Sequence, residues 1–76
     1  MVNTQLLEEY IDKSGKKKGY LAKQIGVSTT TFRSKSKGDY PFDSDEIEVL
    51  CEELSIRTLK DKERVFFAPK VDKSPT

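Results

Sequence analysis

Basic and hydroxyl-bearing side chains are concentrated in one short stretch of the chain. The segment LAKQIGVSTTTFRSK, residues 21–35, contains three consecutive threonines, three basic residues and no Asp or Glu. Lys and Arg donate charge-assisted hydrogen bonds to phosphate, and Ser and Thr hydroxyls bond to phosphate oxygens or to base edges. These residue types at this density favour binding to an anion over catalysis.

The chain lacks the side chains that most catalytic and metal sites need. It has no His and a single cysteine, Cys51, which excludes a disulfide within the chain, a Ser-His or Cys-His pair and a His-containing zinc site. Acids cluster at positions 43, 45, 46 and 48, but helix capping and the helix dipole explain them better than a metal does. We therefore predict no enzymatic activity, no catalytic residue, no metal, no cofactor and no small-molecule ligand.

Charge is distributed very unevenly along the sequence. From Lys13 to Lys37 there are eight basic residues and no acid, whereas from Gly38 to Ile56 there are seven acids and no base. The net charge of +1 conceals this separation. A basic surface that binds an anion, with an acidic face turned elsewhere, is one interpretation, and two solvated faces of opposite sign are the alternative.

Length and hydropathy bound the class of protein. Seventy-six residues make one domain with a thin core. No apolar run approaches the roughly 20 residues that span a bilayer, and the N-terminus has neither the basic flank nor the apolar centre of a signal peptide. One unpaired cysteine favours a reducing compartment. We expect a soluble, cytoplasmic protein that does not contact a membrane.

Apolar spacing and capping residues predict three helices in the first half of the chain. The first begins at Asn3 or Thr4 and stops at Ser14-Gly15, because Gly readily adopts the left-handed conformation that ends helices. The second and third helices are predicted at about residues 18–25 and 29–37.

Two further helices are predicted in the second half. Asp43 with Glu46 three residues later, or Ser44 alone, caps the fourth. Thr58 can cap a fifth that ends near Phe67, although RVFF also suits a short strand. The predicted fold is an all-α five-helix bundle over residues 1–67 with a C-terminal tail over 68–76. The fourth helix has apolar residues at i, i+3, i+4 and i+7, which predicts a buried stripe of Ile47, Leu50, Cys51 and Leu54.

The second and third helices are predicted to form a helix-turn-helix. Gly26 lies where the turn needs a positive φ, and Ser28 is a suitable N-cap for the following helix. Ala22 is small, which lets the two helices approach closely, while Val27 and Phe32 fill the angle between them. In this motif the second helix enters the major groove of DNA, so the acid-free stretch would face phosphates.

The motif resembles the helix-turn-helix of the phage-repressor family, the Cro and Xre-like regulators. The whole chain is similar to the small phage-type or prophage-type repressors of Gram-positive bacteria. The match covers residues 18–38 and extends more loosely over 3–56. One departure is Lys35, where the family often has an apolar residue that anchors the recognition helix. The resemblance is carried by Leu21-Ala22, Gly26-Val27-Ser28, Thr31-Phe32 and the closing Gly38.

The resemblance implies a fold of the phage-repressor DNA-binding-domain type, with helix 28–37 in the major groove of a double-stranded operator. It implies a transcriptional regulator, most often a repressor, that works as a two-fold homodimer. The residues predicted to contact bases are Ser28, Thr29, Thr30, Arg33 and Ser34. Those predicted to contact phosphates are Lys16, Lys17, Lys18, Thr31 and Lys37.

The C-terminal segment is predicted to form the dimer interface, since the recognition surface is too basic to face its own copy. The residues concerned are Val65, Phe66, Phe67 and Val71, and one of the two adjacent aromatic residues exceeds what the core of a monomer needs. An alternative function on the same fold is a protein-interaction module, such as an antitoxin or antirepressor, that works through the acidic fourth helix.

Overall fold

The computed structural model describes residues 2–68 and contains five α-helices with no strand in that range. This confirms the predicted all-α five-helix fold and decides the RVFF segment in favour of helix. No helix in this part of the chain is long and apolar enough to cross a membrane. The helices are α1 Thr4–Ser14, α2 Lys18–Ile25, α3 Thr29–Ser36, α4 Ser44–Glu53 and α5 Leu59–Phe66.

Side-chain caps begin four of these helices where the sequence predicts them. Asn3 Oδ1 accepts from the Leu6 N–H at 3.0 Å at the start of α1. Asp43 and Glu46 form a reciprocal capping box on α4, with N···O distances of 2.9 and 3.0 Å. Ser28 and Thr58 cap α3 and α5 by accepting the N–H of Thr31 and of Asp61, respectively. Each such cap contributes about 1 kcal/mol, so the chain sets its helix boundaries locally.

The core is built around Phe32 of α3, which is fully buried. Phe42, from the loop before α4, lies edge-on between Phe32 and Phe66, at ring-centroid distances of 6.1 and 5.7 Å. That loop residue therefore ties α3 to α5. The buried apolar residues are Leu7, Ile11, Leu21, Ala22, Phe32, Ile47, Leu50, Leu54, Ile56, Val65 and Phe66.

The apolar stripe of α4 is confirmed for Ile47, Leu50 and Leu54, which are buried. Cys51 is only half-buried and packs against the edge of the core. Burial raises the pKa of its thiol above the ordinary value. Cys51 is therefore a weakly reactive packing residue at neutral pH.

The C-terminal segment requires a correction to the predicted dimer interface. Val65 and Phe66 are buried within this chain's own core, and the Val65 carbonyl accepts the Asn3 N–H at 2.7 Å. Buried side chains offer a partner no surface, so neither is placed to form the interface. Phe67 is 55% exposed, in agreement with the expectation that one of the aromatic pair exceeds the core's need. Val71 lies outside the described residues.

Candidate nucleic-acid interface

The turn between α2 and α3 has the backbone geometry that the sequence predicts. Gly26 adopts a φ of +79°, and its N–H donates to Lys23 O at 3.1 Å. The Val27 N–H donates to Ala22 O at 3.0 Å and closes α2. Gly is the residue that adopts this conformation at least cost. The turn therefore redirects the chain within three residues and brings α3 into contact with α2.

A second glycine lies where the two helices meet, and sequence reasoning did not find this contact. A Cβ atom at Gly19 would lie 3.6 Å from Thr29 Oγ1, so the start of α3 lies against the first turn of α2. Ala22 is buried one turn further along α2, as its small size predicts. The sequence carries no local signal that Gly19 lies at this contact, because the KKKGY segment suits a loop as well as a helix.

Two of the predicted contact residues hydrogen-bond to each other in the N-terminal cap of α3. Ser28 Oγ accepts from the Thr31 N–H at 3.1 Å and donates to Thr31 Oγ1 at 3.0 Å. Both residues are exposed, but their hydroxyls are already engaged in the cap. Thr29 and Thr30 are exposed beside them, without a side-chain hydrogen bond to another described residue. The free hydroxyls at this end of α3 therefore belong to Thr29 and Thr30.

The two faces of α3 differ sharply in exposure. Phe32 and Ser36 are buried, and the Ser36 hydroxyl donates to Phe32 O at 2.8 Å. On the opposite side the exposed or half-buried residues recur at i, i+3, i+4 and i+7, the spacing of one helical face. We call this face the outer stripe, and it consists of Thr30, Arg33, Ser34 and Lys37.

Lys35 lies on the inner side of α3 and makes an ion pair with α4. Its Nζ is 2.7 and 2.8 Å from the two carboxylate oxygens of Glu46. The side chains are only 15% and 9% exposed. This ion pair stands where an apolar anchor was expected from the phage-repressor resemblance. Sequence reasoning could not find it, because the partners lie on different helices and each has another plausible role.

Two of the predicted phosphate contacts are paired with acids. Lys16 Nζ lies 2.8 Å from both the Glu53 carboxylate and the Glu53 carbonyl oxygen, and the hydrogen bond from Lys16 lowers the pKa of the Glu53 carboxyl. Lys18 Nζ lies 3.0 Å from Glu8. Both lysines keep about a third of their side-chain surface exposed. Pairs this exposed are worth less than about 1 kcal/mol, so a phosphate can compete for either lysine.

Within the acid-free segment, residues 13–37, five basic residues remain exposed without an ion pair to another described residue. Arg33 and Lys37 belong to the outer stripe, and Lys17 is the N-cap of α2. Lys23, in the last turn of α2, was not among the predicted contacts, although the acid-free segment contains it. The five are Lys13, Lys17, Lys23, Arg33 and Lys37.

Apolar surface lies away from the outer stripe, where α4 and α5 meet. Leu59 and Phe67 are 69% and 55% exposed and line a groove of about 350 Å³ over Ile47. A second, adjoining groove also contains Ile47 and Phe67 and extends past Tyr40 to Val2. We call the two together the α4–α5 groove. Within residues 2–68 no group of three or more Cys, Asp or Glu residues is placed to hold a metal ion.

Comparisons with known proteins found no match. A scan against protein-family models, a search of curated proteins and a search of solved structures each returned none for this chain. The function is therefore inferred from the geometry of the helix-turn-helix and from the charges around it.

Proposed function

We propose that this protein binds double-stranded DNA sequence-specifically and regulates transcription, as a phage or prophage repressor does, with α3 in the major groove. The observation that carries the proposal is the outer stripe. It presents hydroxyl and basic side chains along one exposed face of a short helix, which a tight turn holds against α2. No acid occurs between Lys13 and Lys37 to repel phosphate.

The dimensions of the motif suit duplex DNA. The major groove is about 12 Å wide and accepts a helix of about 10–12 Å diameter. Arg33 is the strongest candidate for base recognition, since a guanidinium can donate two hydrogen bonds to guanine O6 and N7. Thr29, Thr30 and Ser34 supply shorter hydroxyl contacts to base edges.

Phosphate attraction is assigned first to the exposed bases without an acidic partner. Lys17 and Lys37 keep the role predicted from sequence, and Lys23 joins them because it is exposed on the same helix-turn-helix. Lys16 and Lys18 contribute only by leaving Glu53 and Glu8. Electrostatic attraction of this kind is independent of sequence, so it supplies affinity while the outer stripe supplies selectivity.

A homodimer on a two-fold operator completes the proposal. A single module of this kind buries roughly 600–1,000 Å² on DNA, which is modest for a specific regulator. Two copies on half-sites about 34–36 Å apart double that contact. Leu59 and Phe67 in the α4–α5 groove are the exposed apolar residues best suited to join them.

A second candidate function is a protein-interaction module such as an antitoxin or antirepressor. The α4–α5 groove favours it, because exposed apolar grooves also bind unlike partners. The exposed acids of α4, which include Glu48 at the groove, would then select a basic partner segment. In that case the groove and α4 would be the working surface, and the outer stripe would have no partner.

Salt dependence separates the two functions. Duplexes that the protein retains from a random pool would be titrated with the full chain at several salt concentrations. DNA binding should weaken with a log–log slope of about −0.9 for each phosphate contacted. No retention of duplex DNA at low salt, or an affinity that does not change with salt, would contradict the proposed function.

A further inference from the structure

The ion pair between Lys35 and Glu46 is the least exposed charged contact in residues 2–68. The ammonium of Lys35 is shared by both oxygens of Glu46, at 2.7 and 2.8 Å. Glu46 Oε1 also accepts the Asp43 N–H at 3.0 Å, and Asp43 Oδ1 accepts the Glu46 N–H at 2.9 Å. The cap of α4 therefore holds the Glu46 carboxylate in place independently of Lys35.

This arrangement gives α3 a fixed point of attachment on a rigid neighbour. Phe32 and Ser36 also face inward on α3, but apolar burial is non-directional and the Ser36 hydrogen bond lies within the same helix. A nearly buried ammonium shared by two carboxylate oxygens tolerates them poorly, because any rotation that separates the charges leaves both desolvated. The pair is thus the directional contact that α3 makes outside the turn.

We propose that Lys35 and Glu46 are positioning residues that fix the rotation of α3 about its own axis, so that the outer stripe faces the major groove. The inference rests on the proposed function and adds a specificity mechanism to it. Lys35 belongs to the basic segment by sequence, but its ammonium is paired with Glu46. Phosphate binding is therefore assigned to the other basic residues. Arg33 and Thr30 then depend on the pair without touching it.

The variants follow from the geometry. Lys35→Met removes the ammonium, keeps most of the side-chain volume and leaves the Glu46 carboxylate without its cation. The double variant Lys35→Met/Glu46→Gln removes both charges and keeps an amide oxygen that can accept the Asp43 N–H. Losing one partner should lower the melting temperature by more than about 10 °C, whereas replacing both should restore it to within about 5 °C.

Binding is measured on a duplex selected by the wild-type protein and on a random duplex of equal length. In the double variant, we expect the affinity ratio between the two duplexes to fall at least 5-fold although the melting temperature is restored. An unchanged ratio would mean that the pair only stabilises the fold. An equal loss of affinity for both duplexes would mean that Lys35 contacts phosphate. Either result overturns the inference.

A measurement without DNA separates this inference from the proposed function. Residual dipolar couplings of backbone N–H bonds report the orientation of α3 against α4 in the free protein. In the double variant, the couplings of residues 29–36 should no longer fit the wild-type orientation while those of α1 and α4 still do. Unchanged couplings for α3 would overturn the positioning role even if the wild type binds no duplex at all.

Discussion

Ser55, just after α4, adopts a backbone conformation that is unfavourable for a residue other than glycine. Its φ is +59°, the left-handed region, where a residue with a Cβ costs about 1–2 kcal/mol more than glycine. The Ile56 N–H bonds back to Cys51 O at 2.9 Å, so the turn itself is well made. The cost therefore belongs to the residue type at position 55.

Ser55→Gly should stabilise the protein by about 0.5–1 kcal/mol, after the greater freedom of glycine in the unfolded chain is deducted. The melting temperature should rise by about 2–8 °C. Ser34→Gly is the matched control, since it lies inside α3, where glycine lowers helix stability. Equal shifts in both variants would mean that backbone strain at Ser55 is absent.

Acid sensitivity is a second property that belongs to single residues. The hydrogen bond from Lys16 lowers the pKa of Glu53 below its usual value of 4.5 in the folded state. The ionised carboxylate therefore contributes stability that is fully present above the unfolded-state pKa and is lost as the pH falls through the folded-state pKa.

The difference in unfolding free energy between wild type and Lys16→Met should therefore be larger at pH 6 than at pH 3. Urea titrations at both pH values measure it. Part of the difference should persist at pH 3, because Lys16 also donates to the Glu53 carbonyl. A difference that is the same at both pH values would show that the carboxylate contributes nothing.

At the scale of elements, the turn between α2 and α3 offers a matched pair of glycines. Gly26 has a φ of +79° with nothing within 4 Å of a Cβ atom, so only conformation disfavours a side chain there. Gly19 lies within α2, and its Cβ would make an ordinary 3.6 Å contact with Thr29 Oγ1. The same substitution should therefore act in opposite directions at the two sites.

Gly26→Ala should destabilise the protein by about 1 kcal/mol, and Gly19→Ala should stabilise it by up to about 1 kcal/mol. Thermal unfolding followed by circular dichroism measures both. If Gly19→Ala destabilised the protein, α2 and α3 would pack more tightly than the structure indicates. If Gly26→Ala melted like the wild type, the turn would not require a left-handed residue.

Helix boundaries were predictable because the signals that set them are local. Asn3, Ser28, Asp43 and Thr58 cap helices through bonds to residues three positions later, which a sequence displays directly. The RVFF segment was ambiguous because its β-branched and aromatic residues suit a strand, and its packing in the core decided for helix.

Contacts between distant residues were not predictable in the same way. Lys35 was identified only as a departure from the phage-repressor pattern, since nothing nearby marks Glu46 as its partner eleven residues later. Phe42 had no predicted role, although its ring joins Phe32 to Phe66. Val65 and Phe66 were assigned to the dimer interface because a sequence does not show which side of α5 packs against α1.

At the scale of the whole molecule, two ion pairs join the basic and acidic segments of the chain. Lys16–Glu53 and Lys35–Glu46 each pair a base from residues 13–37 with an acid from 38–56. The other bases of residues 13–37 make no ion pair with the 38–56 segment, and their field can orient the molecule toward a polyanion although the net charge is only +1. Two recognition surfaces of the same sign would repel each other, so self-association should use another face.

Phe67→Asp tests that self-association. The side chain is 55% exposed in the α4–α5 groove, so an added charge should leave the fold intact and abolish the homodimer. Analytical ultracentrifugation, with and without a selected duplex, measures the assembly state, and Tyr20→Asp, compared without DNA only, is the control for an exposed aromatic residue outside the groove. A wild type that stays monomeric on DNA, or a Phe67→Asp variant that still forms dimers, would contradict the interface.

The most direct test of DNA reading by α3 is the discrimination of Arg33→Ala. Affinities for a selected duplex and a random duplex would be measured for the wild type, Arg33→Ala and Lys17→Ala. In Arg33→Ala, the ratio of the affinity for the selected duplex to that for the random duplex should fall about 5- to 150-fold. This is the equivalent of about 1–3 kcal/mol for one base contact. Lys17→Ala should weaken binding to both duplexes alike. Full discrimination by Arg33→Ala would contradict the placement of α3 in the major groove.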